Sequence, residues 1–259
     1  MTADTGSGPE RLDGGSDRFY RCFQPRGQGR VPFRVQLDTT DLYLRADRDL
    51  GVAALAAARE ARTVLEAHIA AYPEFATALA PLEIPTGTVP GLAREMYKAG
   101  RLAGVGPMAA VAGTVAEHVG RALRRHSREI LVENGGDLYL DVADEVVVGL
   151  FAGASPFSGR LGLRVHAADT PLAVCTSSAS VGPSLSLGAA DAAVAVGHPA
   201  AVADAVATAL GNRIQGPGDL EAAVQWAVTV PGIRGCVAVL GGHLAAAGEI
   251  EFTRVAPAG

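Results

Sequence analysis

The feature that most restricts the fold is a change of periodicity at residue 129. Before this point apolar residues recur at helical spacing, and after it short apolar runs follow one another, separated by glycine or polar turns. Short runs joined by tight turns are typical of antiparallel strands. The runs lie at 130–133, 138–141, 145–151, 160–166 and 172–175. The sequence therefore predicts an antiparallel meander in the second half of the chain.

The first half supplies helices and a strand pair. Helices are predicted at 50–72, 92–102 and 108–125, and strands at 18–24, 31–37 and 41–46. Strand pairs alternating with helix pairs favour an α+β fold over a parallel βαβ sheet. Residues 18–256 are interpreted as one domain. Whether its halves, 18–85 and 86–256, are a duplication is left open.

The ends of the chain have a different character. Residues 1–17 are polar and rich in glycine, serine and acid, so a disordered tail is predicted there. After the meander, a helix is predicted at 219–228 and closing strands at 233–240 and 244–253. Only 5% of the residues are aromatic, whereas alanine and glycine are abundant. We therefore expect close packing of small-residue helices rather than a core of large rings.

A helix predicted at 199–211 carries the most specific chemical signal. Its apolar stripe consists of Val202, Val206 and Leu210. Asp204 and Thr208 lie one turn apart on a face expected to be roughly opposite that stripe. A carboxylate and a hydroxyl so placed are two oxygen ligands that suit a hard cation such as Mg²⁺. The alternative is an ordinary solvated helix face, and replacing Asp204 with alanine is expected to leave folding largely intact.

One further segment offers donors to an anion. A loop between 176 and 188 is rich in hydroxyls and glycine, and such loops cradle a phosphate or carboxylate through N–H and O–H groups. The hydroxyl candidates in this loop are Thr176, Ser177, Ser178 and Ser184. Separately, the pattern predicts a tight turn at Asn134, Gly135, Gly136 and Asp137. The loop matches neither a Walker motif nor a nucleophile elbow, and a plain solvated loop is the alternative.

The helix predicted at 108–125 begins with small residues, among them Ala112 and Gly113. Small residues allow a close approach of either another backbone or a ligand. Both interpretations stay open at this stage: tight packing of the helix, or a wall of a ligand site.

Three segments together resemble a known family. They are ADAVATAL at 203–210, ILVENGGDLYL at 130–140 and GPMAAVAGTVAEHVGRAL at 106–123. In order and spacing they resemble the ApbE-like FAD:protein FMN transferases, and more closely an uncharacterised cytoplasmic branch of that superfamily. The resemblance implies a T-fold-related antiparallel sheet with helices packed on one face.

The resemblance also implies site residues. Asp204 and Thr208 would hold a catalytic divalent metal, and the turn at 134–137 would lie by the flavin site. Ala112 and Gly113 fall where the family has an Ala-Lys-Gly helix. The implied cofactors are Mg²⁺ and FAD or FMN. The family lysine is replaced here by Gly113, and the loss of that cation weakens the case for cleaving a flavin pyrophosphate.

Composition restricts the class of partner. The net charge is −5, which argues against a nucleic-acid phosphate binder. The sequence has no run long and apolar enough for a membrane span and no secretory signal, so a cytoplasmic location is predicted. The three cysteines are far apart and match no zinc spacing, and reduced thiols are the simplest interpretation.

Two classes of function remain. One is a Mg²⁺-dependent enzyme that binds an anionic or nucleotide ligand, with flavin transfer to a protein substrate as the version that the resemblance implies. The other is a cytoplasmic binding or helper protein without transfer chemistry, for example in sulfide assimilation and homocysteine formation. A thiol role for Cys175 would fit the second class, although a buried strand cysteine is the simpler interpretation. Homo-oligomerisation is left open.

Overall fold

The computed structural model describes residues 30–178 and 187–255 of the chain. The strands are β1 (Val31–Leu37), β2 (Thr40–Ala46), β3 (Ile130–Asn134), β4 (Asp137–Asp141), β5 (Val146–Gly149), β6 (Leu161–Val165), β7 (Leu172–Ser177), β8 (Ala192–Gly197), β9 (Ile233–Leu240), β10 (His243–Gly248) and β11 (Phe252–Arg254). The α-helices are α1 (Gly51–Ala71), α2 (Glu74–Thr77), α3 (Gly91–Ala103), α4 (Val111–Leu123), α5 (Ala200–Asn212) and α6 (Leu220–Ala227). Short 3₁₀ turns precede α4 and α6 at Pro107–Ala110 and Pro217–Asp219.

These elements form three layers. A large antiparallel sheet has the strand order β1-β2-β3-β4-β7-β8-β9-β10, and a small sheet has the order β11-β6-β5. The helices cover one face of the large sheet, and the small sheet covers part of the other. The predicted α+β class, with helices packed on antiparallel sheet, is confirmed. The proposed division near residue 85 stays a prediction, and that residue lies between α2 and α3.

The alternation of side chains along the central strands explains why the helices come close. On β7 the helix side carries Ala173 and Cys175, whereas Leu172 and Val174 face the small sheet. Adjacent β8 likewise turns small alanines towards the helices. Successive residues of a strand point to opposite faces. Each of these strands therefore presents small side chains to α5 and bulkier side chains to the small sheet. Close packing of small residues is therefore confirmed as the basis of this core.

The predicted meander is wrong in one respect. β4 pairs with β7, while β5 and β6 leave the large sheet and form the small one with β11. The reason is apolar burial on the second face: Val146, Leu163 and Val165 pack against residues of the large sheet such as Leu140 and Val194.

Other boundaries also differ from prediction. The single strand predicted at 244–253 is instead two strands, β10 in the large sheet and β11 in the small one. β10 ends at Gly248, whose φ of 77° allows the chain to cross between the sheets. The helix predicted at 219–228 begins one residue later, after a 3₁₀ turn. The predicted strand at 18–24 and the tail at 1–17 lie outside the described residues. In the part of the chain that is described, no helix is both long and apolar enough to cross a bilayer.

Candidate functional site

A two-residue turn joins the end of β3 to the beginning of β4, two inner strands of the large sheet. Asn134 pairs with Asp137 across the ladder, and Gly135 and Gly136 between them have φ values of 68° and 107°. Only glycine adopts such values without strain, and two positive φ values in succession are typical of a type I′ hairpin turn. The tight turn predicted from the sequence is therefore present.

Side chains of this turn hold neighbouring elements. The Asn134 amide donates a hydrogen bond to the Ala112 carbonyl oxygen at 3.0 Å. On the other side, the backbone N–H of Thr176 donates to the Asp137 carboxylate at 3.2 Å. The turn is thus fixed between the beginning of α4 and the end of β7, and three segments predicted to form the site lie together.

The beginning of α4 is also fixed from α5. The Asp204 carboxylate accepts a hydrogen bond from the Gly113 N–H at 2.7 Å. A Cβ placed on Gly113 would lie 2.6 Å from the Ala200 carbonyl oxygen, which is closer than real Cβ atoms come. Gly113 is therefore required by the contact between the two helices. Of the two interpretations left open for the small residues of α4, tight packing applies at this position.

The alternative interpretation of a solvated helix face is wrong for Asp204. Its side chain is buried, as are Ala201 and Ala205 beside it, because α4 packs on the face that the sequence pattern left open. The carboxylate occupies the N-terminal end of α4, where free N–H groups and the helix dipole favour negative charge. Asp204 therefore supports the fold, whatever else it does.

A second carboxylate makes the reciprocal contact. Glu117 of α4 accepts a hydrogen bond from the backbone N–H of Ala200 at 2.7 Å, at the beginning of α5. It also lies 3.1 Å from His198 Nε2. The antiparallel helices α4 and α5 thus cap each other's N-terminal ends with buried carboxylates. We call this arrangement of Asp204 with Gly113 and of Glu117 with Ala200 the reciprocal cap.

The pair of Glu117 and His198 is electrostatically matched. The hydrogen bond that His198 Nε2 donates to the Glu117 carboxylate raises the pKa of His198 above its usual range, against the effect of burial. Burial opposes ionisation of Glu117, but its hydrogen bonds with His198 and with the Ala200 N–H outweigh that effect and lower its pKa. The charged forms of both groups are favoured.

A group of buried acids and a thiol lies behind the turn. Burial raises the pKa of Asp137 to about 7. Burial, and then the negative charge of Asp137, raise the pKa of Asp204 well above its usual range. Burial raises the pKa of Cys175 as well, with the two carboxylates adding to it, and its thiol hydrogen-bonds with Asp137. Cys175 is thus a buried thiol held in the protonated form, which does not favour a nucleophilic role.

Five of the remaining candidates form a half-exposed margin where the turn meets α4 and β7: Thr176, Ala112, Asn134, Gly135 and Gly136. Thr208 is partly accessible on α5. Ser178 instead turns its hydroxyl inwards and donates to the Asp191 carbonyl oxygen at 2.7 Å, and Ser177 is buried near Gly211. Ser184 lies outside the described residues.

The donor types at Asp204 and Thr208 fit a hard cation. Both offer oxygen, which Mg²⁺ prefers, and Mg²⁺ keeps several waters and uses few protein ligands. Among the described residues, no group of three or more His, Cys, Asp or Glu side chains could hold a metal ion. A cation here would therefore depend on hydroxyl, carbonyl, water and ligand oxygens around one carboxylate.

Comparisons with known proteins identify the relatives of this chain. A family model described as "AbpE bacteria" matches residues 22–231. A UPF0280 protein of Methanocella arvoryzae is 41% identical over 218 residues, which cover 84% of this chain and 88% of that protein. A UPF0280 protein of Methanosarcina acetivorans is 40% identical, covering 87% and 90% of the two chains.

The chain belongs to the UPF0280 branch of the ApbE-like superfamily. The crystal structure of the flavinyl transferase ApbE from Pseudomonas stutzeri, in its apo form, matches with a TM-score of 0.52 and 14% identity. The match covers 90% of this chain and 96% of that one, and at this identity it shows the shared fold.

The role of Glu117 in this ApbE-like chain was not predicted from the sequence. Glu117 lies four residues after Gly113, so both occur on one face of α4. The sequence signal that could have indicated it is a lone acid on an otherwise small and apolar helix face. His198, just before the proline that precedes α5, gives its partner.

Proposed function

We propose that this chain binds a flavin nucleotide, together with a divalent cation at Asp204 and Thr208, and transfers FMN from FAD to a hydroxyl of a protein substrate in the cytoplasm. One observation carries the proposal. Hydrogen bonds connect the strand-end turn with the beginning of α4 and the end of β7, and α4 with the buried acid Asp204, while residues of the first three segments are partly accessible.

The residues of the margin supply neutral donors rather than cations. The hydroxyl of Thr176 is suited to a phosphate oxygen, whereas the Gly136 N–H already donates to the Glu133 carboxylate at 2.8 Å. The small side chains of Ala112 and the two glycines leave room for a ligand to approach the backbone. Asn134, whose amide is held by Ala112, keeps the turn in place while a ligand binds.

In the proposed reaction, a hydroxyl oxygen of the protein substrate forms a bond to the phosphorus of the FMN half of FAD. The P–O bond to AMP breaks, AMP leaves with the electron pair, and the hydroxyl proton passes to a base. A bound divalent cation would supply charge neutralisation for the phosphate oxygens. Asp204 and Thr208 would orient it, and Asp204 is the catalytic candidate of this chain.

A second function is favoured by Gly113. The tight contact at this residue leaves no space for a lysine side chain without separating α4 from α5. A protein that binds the ligand but lacks a cation for the leaving pyrophosphate would serve as a binding or helper protein, for example in sulfide assimilation and homocysteine formation.

AMP release separates the two functions. The purified chain is incubated with FAD and Mg²⁺, with and without a threonine-containing acceptor protein, and AMP and the acceptor mass are measured. Transfer predicts AMP formation together with an acceptor that gains the mass of FMN less water. FAD binding without AMP supports the helper function, and absence of both binding and AMP contradicts flavin involvement.

A further inference from the structure

Among the described strands, β10 forms one edge of the large sheet, and its own sequence carries none of the usual protection against pairing. It pairs with β9 over six consecutive residues without a shift of register. Its sequence, HLAAAG, contains no proline, lysine or acid. Natural proteins commonly protect an edge strand with charges, proline or a bulge, because a free edge is a template for pairing with another chain.

The opposite end of the sheet is different. The edge strand β1 contains Pro32, which has no N–H to donate, and Arg34, whose guanidinium pairs with Asp41 at 2.7 Å. Both are devices that discourage edge pairing. The contrast indicates that β10, not β1, is the edge available to a second chain.

The β9–β10 turn fixes which groups of β10 point outwards. Leu240 pairs with His243 across the two-residue loop Gly241-Gly242, and Gly241 has φ 58°. The residues that close a two-residue hairpin loop form a hydrogen-bonded pair, and such pairs alternate along the ladder. His243, Ala245 and Ala247 therefore bond to β9. Leu244 and Ala246 direct their N–H and C=O groups away from the sheet, whereas the Gly248 carbonyl oxygen accepts a hydrogen bond from the Ile250 N–H at 3.1 Å.

These outward groups are self-complementary about Ala246. If a second copy is related by a two-fold axis there, Ala246 lies opposite Ala246 of the partner subunit, and Leu244 opposite the partner subunit's Gly248. The Ala246 pair then becomes a hydrogen-bonded pair of the ladder, and the Leu244 carbonyl oxygen meets the N–H of the partner subunit's Gly248. The ladder ends there, because Gly248 turns the chain away and Glu249 is paired with Arg234 of its own subunit.

Side chains do not obstruct this approach. The centre of the strand is Ala245, Ala246 and Ala247, and strands need to come within about 4.8 Å. On the face towards the small sheet, Leu244, Ala246 and Ile250 are partly buried apolar residues that a second copy would cover further.

We propose that β10 pairs antiparallel with β10 of a second copy, joining two large sheets into one continuous sheet across a two-fold axis at Ala246. A ladder confined to residues 244–248 of each copy is small for an interface. The dimer is therefore a reversible one that forms with rising protein concentration. The proposal is independent of the flavin function.

Charge substitutions at the axis test the proposal. Ala246→Lys and Ala246→Glu each place like charges directly opposite one another at the two-fold axis, whereas a mixture of the two variants places opposite charges there. In sedimentation equilibrium we expect wild type to dimerise, each variant alone to associate at least tenfold more weakly, and the equimolar mixture to recover a heterodimer. A wild type that is monomeric at 100 µM (about 2.6 mg/mL by mass), or variants that dimerise equally well, would overturn the proposal.

A cross-link tests the register itself. Residues of a hydrogen-bonded antiparallel pair have Cα atoms about 5.5 Å apart, within the range that a disulfide spans. Ala246→Cys is therefore expected to form a covalent dimer on mild oxidation. Cys175 and Cys236 are buried, and Cys22 is replaced by serine to remove its thiol. A Leu102→Cys variant, which exposes a thiol on α3 far from β10 in sequence, serves as the control. Equal cross-linking of both variants contradicts the register.

Discussion

The Asp204 carboxylate and the Gly113 backbone N–H are joined by a 2.7 Å hydrogen bond that connects the middle of α5 to the beginning of α4. Together with the bond from the Ala200 N–H to Glu117, it makes each helix of the pair a cap for the other. The proposed metal ligand is thus also part of the fold. Variants at this position must separate the two roles.

Asp204→Ala is expected to destabilise the protein. It leaves the Gly113 N–H buried without an acceptor, which costs about 1–3 kcal/mol of unfolding free energy. Asp204→Asn keeps an acceptor oxygen for the Gly113 N–H, so its cost is expected to be smaller. Urea denaturation of both variants at pH 7.5 measures the difference. Equal stability of Asp204→Ala and wild type would contradict the reciprocal cap.

Gly113→Ala is expected to destabilise the helix pair more than its small size suggests. The new Cβ would meet the Ala200 carbonyl at 2.6 Å, and overpacking of this kind costs about 1–3 kcal/mol. Gly91→Ala is the matched control, because no atom lies within 4 Å of a Cβ at that helical position. The control is expected to be neutral or slightly stabilising in the same thermal melts. Equal melting temperatures for the two variants would refute the contact.

The buried acids are expected to make stability fall as the pH rises. The pKa of Asp137 is raised to about 7 in the folded state, above its unfolded value, so the folded protein binds a proton more tightly. This stability is fully present below the unfolded pKa and is lost as the pH rises through about 7. One such carboxyl changes the unfolding free energy by at most about 1.4 kcal/mol per pH unit.

Asp137→Asn isolates this contribution. The amide keeps an oxygen for the Thr176 N–H and does not titrate. The difference in unfolding free energy between wild type and variant is therefore expected to fall steadily between pH 5 and pH 7.5. A difference that does not change over this range would show that Asp137 is ionised throughout.

The sequence was sufficient to predict the helices and strands, but it did not show which layer each of them joins. Helical spacing and tight turns predicted α1, α3, α4 and most strands, because those signals are local. It could not show that β5 and β6 leave the large sheet, since strands of either sheet have the same pattern. The burial of Asp204 was not predicted, because the apolar stripe of α5 identifies only one buried face of that helix. The stripe does not show whether α4 covers the opposite face.

The candidate site was predicted in part. The turn at 134–137 was recognisable because Asn-Gly-Gly-Asp is a local turn signal, and its position beside Ala112 and Thr176 agrees with the predicted grouping. The role of Glu117 could not be read from the sequence, because its partner Ala200 lies 83 residues away and contributes only a backbone N–H.

The contribution of His198 to the unfolding free energy, measured with His198→Asn, is expected to depend on pH in the opposite sense from the contribution of Glu117. The pKa of His198 is raised by Glu117, so the stabilising contribution of the pair is present below the usual histidine pKa and is lost as the pH rises through the raised value. The pKa of Glu117 is lowered, so its contribution is lost only in acid. The variant should therefore be less stable than wild type at pH 6 and closer to it at pH 9. Identical differences at both pH values would show that His198 is not charged in the folded state.

The most direct test of the central claim is the Mg²⁺ dependence of FAD affinity in isosteric variants. Thr208→Val and Asp204→Asn remove one cation ligand each with little change in shape, and Thr229→Val, on the loop after α6, is the control. By fluorescence titration, we expect Mg²⁺ to strengthen FAD binding to wild type and the control at least tenfold, and to have no effect on the two site variants, with melts confirming that all are folded. If wild type and both site variants bind FAD equally well in the presence of Mg²⁺, Asp204 and Thr208 do not form the proposed site.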